Sequence, residues 1–257
     1  MTESVIEIFD RVAERYDDVL PFFSEFGRLT ARRLPEPQPG GRLLDIGTGR
    51  GAIAVPARDR GYEVTATDAA PGMVARLRQE QPGLDARLMD AARLEFPDES
   101  FDVVTAGLVM HLVDDAAAVT REVRRVLRPG GLFAFTTPGR VPEGFEFADG
   151  ANALFGEFAR HLPPQGSMGA PFDEVETLTE AGFVPRRQTD LRLELPVPDA
   201  ETLWQWFQTH GTRKYFDDLP PERRDEFRRR LIDDLEGRRR PLLLRRYAWL
   251  HEARKSD

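Results

Sequence analysis

The chain has 257 residues, no cysteine and a formal net charge of -8 at pH 7. This length allows a sizeable core, the lack of cysteine excludes disulfides and cysteine-ligated metals, and the acidic balance argues against nucleic-acid binding. No apolar run reaches the roughly 18 residues of a membrane span, and the acidic first residues do not resemble a signal peptide, so we expect a cytoplasmic protein without a membrane partner.

In chain order, residues 4–34 carry apolar side chains at helical spacing with an interruption at Pro21, which predicts two helices. A Pro/Gly-rich linker at 35–41 follows, and strands then alternate with helices. The predicted strands are 42–47, 63–68, 85–89, 102–107 and 132–137. The predicted helices between them are 51–60, 71–80 and 114–127. Such alternation is typical of a parallel sheet with helices on both faces.

The second half of the chain interrupts this rhythm twice. Residues 139–171 are rich in Pro and Gly and predict an insertion over one edge of the sheet. A second insertion of two helices is expected near 199–209 and 220–236. The remaining predicted elements are a helix at 172–181 and strands at 184–195 and 242–250. The fold class is therefore α/β: a doubly wound, mostly parallel, Rossmann-like sheet of seven strands with helical lid insertions.

We expect one domain over residues 1–257, built around a single sheet. Its parts are an N-terminal helical cover (1–34), a cofactor-binding core (35–138), two substrate-lid insertions (139–171 and 199–236) and the remainder of the sheet (172–198 and 237–257). Arginine clusters in the last third are Arg228-Arg229-Arg230, Arg238-Arg239-Arg240 and Arg245-Arg246, and the region also holds acidic residues such as Asp225 and Asp233. That pattern predicts exposed, solvated surface and supports the expectation of no nucleic-acid partner.

A glycine-rich turn between the first predicted strand and helix is the most informative motif. It contains Gly47, Gly49 and Gly51, and an acidic residue, Asp68, follows 21 residues after the first glycine. This spacing predicts an adenosine-containing cofactor whose ribose is bound by the carboxylate. The glycines alone leave the cofactor open, because Gly47-x-Gly49-x-x-Ala52 fits a nicotinamide dinucleotide while Gly47-x-Gly49-x-Gly51 matches a methyltransferase loop.

Further motifs resolve this ambiguity. They are Phe9-Asp10-x5-Tyr16-Asp17, Leu43-Leu-Asp-Ile-Gly-Thr-Gly-x-Gly51, Thr67-Asp68-x4-Met73, Asp90-Ala91-x3-Glu95-Phe96-Pro97-x3-Phe101-Asp102 and Val126-Leu127-Arg128-Pro129-Gly130-Gly131. With these blocks in this order, the chain resembles the class I S-adenosylmethionine-dependent methyltransferases, in particular the small-molecule branch of the ubiquinone-biosynthesis type. The resemblance covers roughly residues 5 to 138; beyond it only the layout is similar.

The resemblance implies S-adenosylmethionine as the cofactor and assigns roles near the glycine turn. The backbone facing the methionine moiety is that of Gly47, Thr48, Gly49 and Gly51. Asp45 would orient this loop and the cofactor's amino group. Asp68 would accept hydrogen bonds from both ribose hydroxyls, which suits an acceptor-only carboxylate. Tyr16 would lie on a helical segment that closes over the cofactor.

The resemblance also assigns the adenine and sulfonium ends of the cofactor. Met73 would pack on the adenine, although it could equally be a core residue on a helix face. Asp90 and the Ala91 amide would bind the adenine edge. Ala106 and Gly107 end the fourth strand beside the sulfonium. The pair Asp114-Asp115 is interpreted as a helix cap, and no metal site is predicted.

Two histidines are candidates for the chemistry. His111 follows the fourth strand, near the expected methyl group, and is either a general base or part of the pocket wall. His210 ends a predicted lid helix and either contacts substrate or stabilises that helix end. The covering segments are rich in aromatic residues, which is consistent with a flat, apolar small molecule.

The leading hypothesis is a methyltransferase acting on an oxygen, carbon or nitrogen of a small, partly apolar metabolite. A second hypothesis retains S-adenosylmethionine but has the enzyme catalyse a non-methylating rearrangement or cyclisation. A nicotinamide-dependent dehydrogenase and a non-catalytic binding module are less favoured alternatives. The sequence identifies neither the methyl acceptor nor the oligomeric state.

Overall fold

The structure is a computed structural model that describes residues 4–139, 151–163, 172–238 and 241–256. Seven strands in these residues form one sheet with the order β3-β2-β1-β4-β5-β7-β6. The strands are β1 (Arg42–Ile46), β2 (Glu63–Asp68), β3 (Asp85–Leu88), β4 (Phe101–Gly107), β5 (Leu127–Pro138), β6 (Phe183–Val197) and β7 (Leu242–Lys255). Strands β1 to β5 are parallel, and β7 runs antiparallel to β5 and β6. The predicted fold class is confirmed.

Helices flank both faces of this sheet. They are α1 (Val5–Val12), α2 (Phe22–Ala31), α3 (Ala54–Asp59), α4 (Pro71–Glu80), α5 (Ala116–Val126), α6 (Ala151–Phe158), α7 (Glu174–Glu180), α8 (Ala200–Phe207), α9 (Thr212–Asp218) and α10 (Pro221–Glu236). Asp115 caps α5, because its carboxylate accepts a hydrogen bond from the Ala118 amide at 2.8 Å. None of these helices combines the length and apolarity needed to cross a bilayer.

The strands follow the burial that their positions require. Central strand β1 is buried on both faces, and Leu43, Leu44 and Ile46 have no exposed surface. This continuous apolar run is expected for a parallel strand covered by helices on both sides. By contrast, the second half of β6 alternates buried and exposed residues, as in a strand with one solvated face.

Most predicted elements are present, with shifts at their ends. The first core helix begins at Ala54 rather than residue 51, because three positive-φ glycines keep the preceding turn out of helical geometry. The second insertion contains the additional helix α9, which the sequence did not predict. Strand β7 continues to Lys255, five residues beyond its predicted end, through pairing with β5 and β6. Of the predicted insertion at 139–171, residues 140–150 and 164–171 lie outside the described residues.

Two large apolar clusters lie on the two faces of the sheet. One joins the inner faces of β6 and β7 to side chains of α2, α6, α8 and α10. The other joins β4 and β5 to α5 and α7. The first cluster brings α2 and the second-half helices together on one face of the sheet. That assembly forms the walls of the candidate site.

Candidate functional site

The glycine-rich turn lies at the carboxyl end of β1, where ligands bind in open parallel sheets. Gly47, Gly49 and Gly51 have φ values of 58°, 55° and 85°, which side chains rarely adopt. A Cβ atom on Gly47 would lie 2.4 Å from a methyl carbon of Val109. The loop therefore requires glycine both for its backbone geometry and for the space around it.

Asp68 ends β2 beside this turn. Its two carboxylate oxygens accept hydrogen bonds from the Gly49 amide at 2.8 Å and the Ala70 amide at 2.9 Å. Burial raises the pKa of the carboxyl group above its ordinary value, although these backbone hydrogen bonds oppose the shift. The carboxylate thus bridges the turn and the start of α4, and each oxygen has a further lone pair for a ligand.

Asp45 lies beneath the turn and is 1% exposed. Its carboxylate oxygens accept hydrogen bonds from the hydroxyl groups of Thr105 at 2.6 Å and Thr48 at 2.7 Å. Desolvation raises its pKa to about 6. These contacts connect the loop to β4, as expected for a residue that orients the loop; contact with a ligand's amino group stays a prediction.

The segment between α1 and α2 closes one side of the turn. The Tyr16 ring stacks on Phe23 with 4.1 Å between centroids, and it lies 3.6 Å from where a Cβ on Gly49 would be. Asp17 caps α2 by accepting hydrogen bonds from the amides of Phe23 and Ser24, both at 2.9 Å. The Tyr16-Asp17 pair therefore combines a ring over the loop with a carboxylate that holds the segment in place.

Two further contacts hold α1 and its following segment against the core. Asp18 forms an ion pair with Arg50 of the glycine turn at 2.6 Å. The carboxylate of Asp10 accepts a hydrogen bond from the Gly72 amide at 2.5 Å. Met73, which is 1% exposed, lies in the apolar cluster between α1 and α4.

The remaining predicted cofactor residues lie at the carboxyl ends of β3 and β4. Asp90 is exposed, and its carboxylate accepts a hydrogen bond from the Ala92 amide at 2.9 Å. Ala91 is half-buried. Ala106 is fully buried, whereas Gly107 is half-buried and has a backbone that approaches Ile53. The topology thus brings all the predicted cofactor residues to one edge of the sheet.

A cavity of about 470 Å³ adjoins this edge, between the N-terminal helices and the second-half helices. Its walls are mostly aromatic, and include Phe22, Phe23, Phe26, Phe155, Trp206 and Phe207. Tyr16, which covers the glycine turn, is also part of the wall. The size and apolar character suit a small organic ligand.

His111 lies at the end of the cavity near β4. Desolvation lowers its pKa to about 4, so the ring is neutral at pH 7. Its Nδ1 atom is buried and has no hydrogen-bond partner among the described residues. The adjoining Leu108 has a φ of +56°, an uncommon conformation for a non-glycine residue that often occurs at functional sites.

His210 also lines the cavity, but its ring nitrogens are both engaged. Nδ1 lies 2.9 Å from the carbonyl oxygen of Trp206, which can only accept, so Nδ1 carries the proton. Nε2 then accepts from the hydroxyl of Thr212 at 2.8 Å. Burial lowers the pKa of His210 to about 3. The two histidines predicted from the sequence therefore differ in their hydrogen bonding, and the geometry favours His111 as the histidine available to a ligand.

The sequence did not single out Arg246, which the structure places on the cavity wall. The predicted solvated surface for Arg245-Arg246 is wrong for Arg246, because the two side chains lie on opposite faces of β7. Arg245 pairs with Glu194 at 3.0 Å, and Arg246 faces Trp206. A signal for this was present in the sequence: the alternation of side chains along a strand places Arg246 on the same face as Leu242, Leu244 and Ala248.

Comparisons with known proteins agree with this architecture. The family described as "Methyltransferase domain" matches residues 44–135. Nocamycin O-methyltransferase of Saccharothrix syringae is 37% identical, with 89% of each chain covered. Aklanonic acid methyltransferase of Streptomyces sp. (strain C5) is 34% identical over 74% of this chain and 96% of the relative. A methyltransferase solved with a Haloferax volcanii methyltransferase activator has a similar fold, with a TM-score of 0.64, 22% identity and coverage of 99% and 98%.

Proposed function

Because the chain belongs to the class I S-adenosylmethionine-dependent methyltransferases, we propose that it methylates an oxygen atom of a small, largely apolar metabolite held in the aromatic cavity. The observation that carries this proposal is the position of the cavity, which shares Tyr16 with the closed side of the glycine turn and ends at Leu108 and His111 beyond β4. Two relatives support the choice of acceptor: one is an O-methyltransferase of nocamycin, and the other a methyltransferase of aklanonic acid.

The residues at the sheet edge fit the cofactor that the family uses. Glycine at positions 47, 49 and 51 gives the turn its positive φ values and places no side chain between the backbone and a ligand at these three positions. Asp68 offers acceptor oxygens to a vicinal diol, and the acidic surroundings of Asp45 and Asp68 favour a cation. When bound, S-adenosylmethionine supplies an electrophilic methyl group on a positively charged sulfur.

Each predicted cofactor residue keeps a defined part in this proposal. Asp68 binds the ribose, Met73 and the Asp90-Ala91 pair border the adenine, and Ala106 with Gly107 leaves room beside the sulfur. Tyr16 covers the site from the N-terminal side. Asp45 acts through the loop, because it is 1% exposed beneath the turn and its carboxylate holds the hydroxyl groups of Thr48 and Thr105.

The cavity residues contribute alignment and the exclusion of water. Aromatic walls hold a flat acceptor in one orientation, and such positioning lowers the barrier of an in-line displacement. His111 borders the acceptor as a neutral ring that can receive a proton. With both ring nitrogens engaged, His210 instead holds the wall formed by Trp206. We therefore assign a direct contact with the acceptor to His111 and a positioning role to His210.

Calorimetry tests the proposal. Titration with S-adenosylmethionine and with its demethylated product, S-adenosylhomocysteine, should show one micromolar-range site for each. Label transfer from methyl-tritiated cofactor to an organic-extractable product should then accompany formation of S-adenosylhomocysteine in equal amounts. Absence of cofactor binding would contradict the proposal. Acceptor turnover without S-adenosylhomocysteine would favour the rearrangement or cyclisation hypothesis instead.

A further inference from the structure

Arg246 interrupts an apolar face of β7. Alternate residues of a strand share a face, and the face that carries Arg246 also carries Leu242, Leu244, Ala248 and Leu250, each 5% exposed or less. Arg246 is itself half-buried. Placing a guanidinium in such a row costs desolvation free energy, and an aliphatic residue here would continue the apolar face without that cost.

Neighbouring groups hold the guanidinium of Arg246 at the cavity wall. Its central carbon lies 5.6 Å from the ring centroid of Trp206, within the range of a cation–π contact. One terminal nitrogen donates a hydrogen bond to the backbone carbonyl of Arg245 at 2.9 Å. These contacts give the planar donor group a defined orientation beside the ligand space.

The charge of Arg246 is distinctive within the cavity. Among the described lining residues it is the one with a formal charge, in a wall that is otherwise aromatic, aliphatic or neutral polar. His111 and His210 do not add positive charge at pH 7, since burial lowers the pKa of the first to about 4 and the second to about 3. A guanidinium in apolar surroundings binds an oxyanion more strongly than one in water.

We propose that the acceptor carries an anionic oxygen of the carboxylate class and that Arg246 binds it. This inference rests on the proposed function and names the substrate class of that same cavity. The charges of the site are then complementary: the acidic residues Asp45 and Asp68 are on the cofactor side, and the cation is on the acceptor side.

A carboxylate acceptor also agrees with the weak basicity of the cavity histidines. A lone pair of the carboxylate oxygen forms a bond to the methyl carbon, while the electrons of the carbon–sulfur bond pass to sulfur. The products are a neutral methyl ester and a neutral thioether, so no proton has to leave and no base is needed. His111 then borders the acceptor without taking a proton from it.

Binding of matched probes tests this proposal in protein saturated with S-adenosylhomocysteine. The probes are 2-naphthoate and its neutral analogue 2-naphthamide, measured by calorimetry at pH 7.5. We expect wild-type protein to bind the carboxylate at least about tenfold more tightly, the ratio expected for one charge-assisted hydrogen-bonded pair. Arg246→Met should remove this preference. Arg245→Met is the matched control and should retain it, because Arg245 lies on the opposite face and pairs with Glu194.

The outcomes separate this inference from the proposed function. Binding of S-adenosylhomocysteine by each variant first shows that its fold and cofactor site are intact. A wild-type protein that binds the cofactor product but shows no preference for 2-naphthoate would overturn the inference and leave the proposed function standing. A preference that persists in Arg246→Met would overturn it as well. Failure to bind the cofactor product would count against the proposed function itself.

Discussion

Asp45 and Asp68 lie at the carboxyl ends of neighbouring strands, but their burial and their partners differ. Asp45 is engaged by two threonine hydroxyls, whereas Asp68 is held by two backbone amides. Each oxygen of both carboxylates accepts one of these hydrogen bonds, so burial separates the two groups. Asp45 is 1% exposed and serves the loop, whereas Asp68 is half-buried at the end of β2, where a ligand can reach its remaining acceptor sites. At the residue scale, this difference separates the group that shapes the site from the group that binds.

Asp68→Asn tests the binding role. The amide cannot accept both hydroxyls of a ribose, and the loss of hydrogen bonds to a charged acceptor should weaken S-adenosylhomocysteine binding by about ten- to hundredfold. Calorimetry measures this change. Asp85→Asn, at the carboxylate that pairs with Arg87 in β3, is the control and should bind normally. Equal affinities for the two variants would argue against a ribose contact at Asp68.

The buried histidine His210 predicts a pH dependence of stability. Its folded pKa of about 3 lies below the ordinary value of 6.5, so the unfolded state binds more protons between these limits. The free energy of unfolding contributed by His210 therefore falls as the pH drops below about 6.5. Asp45 acts in the opposite sense, since its pKa is raised to about 6.

Comparison of slopes isolates the His210 contribution. In urea titrations from pH 6.5 to 5, wild-type stability should change with pH more steeply than that of His210→Gln, by up to about 1.4 kcal/mol per pH unit. The comparison concerns the slope, so an overall loss of stability in the variant does not affect it. Identical slopes would show that His210 titrates normally in the folded protein.

At the scale of elements, the turn between β1 and α3 depends on glycine for two separable reasons. Gly47 and Gly130 both have positive φ values, 58° and 70°. A Cβ on Gly47 would meet Val109 at 2.4 Å, while one on Gly130 would meet nothing within 4 Å. We expect Gly130→Ala to cost about 1–2 kcal/mol of stability through backbone strain alone and to bind S-adenosylhomocysteine normally.

Gly47→Ala should add a steric effect to the same strain. The loop has to move, and we expect the affinity for S-adenosylhomocysteine to fall more than tenfold in a protein that still unfolds cooperatively. Thermal unfolding and calorimetry on the two glycine variants measure both quantities. Equal affinities of Gly47→Ala and Gly130→Ala for S-adenosylhomocysteine would contradict a steric requirement for glycine at position 47.

Arg50 joins three elements around the cofactor side of the site. It forms ion pairs with Asp18, in the segment that carries Tyr16, and with Glu80 at the end of α4. Because Asp18 is about half exposed, the contact is weak, and Arg50→Met should speed release of S-adenosylhomocysteine by only about two- to fivefold. Stopped-flow dissociation measures this rate. Arg76→Met, which also loses a pair with Glu80, is the control. An equal rate for both variants would show that the Arg50–Asp18 ion pair does not slow release.

At the scale of the whole molecule, the positions of the glycine turn and of Asp68 could be predicted because they depend on local sequence. The turn at 47–51 needs glycine, β2 needs to end in Asp68, and both requirements appear as spacings in the chain. The cavity half depends on packing between distant segments. Helix α9 is only seven residues long. Its Phe216 packs in the apolar cluster that joins β6 and β7 to α2, α6, α8 and α10, a contact that no local periodicity reveals.

The position of Arg246 is another feature that depends on packing between distant segments and that the sequence did not predict. In sequence it belongs to one of three arginine clusters in the last third of the chain, and the charge pattern of that region predicts solvated surface. The alternation of side chains groups Arg246 with apolar residues of the strand, and the pairing of β7 with β5 and β6 establishes where that face lies in the fold. The two histidines are a similar case. Their positions in the chain make both His111 and His210 candidates for the chemistry, and only the structure shows that the ring nitrogens of His210 are bonded to Trp206 and Thr212.

A crystal structure with S-adenosylhomocysteine tests the central claim most directly. The account predicts the ribose hydroxyls within hydrogen-bond distance of Asp68, the methionine moiety along Gly47–Gly51, and the sulfur open to the cavity at Leu108 and His111. A nucleoside bound away from Asp68, or a sulfur enclosed with no path to the aromatic cavity, would contradict it.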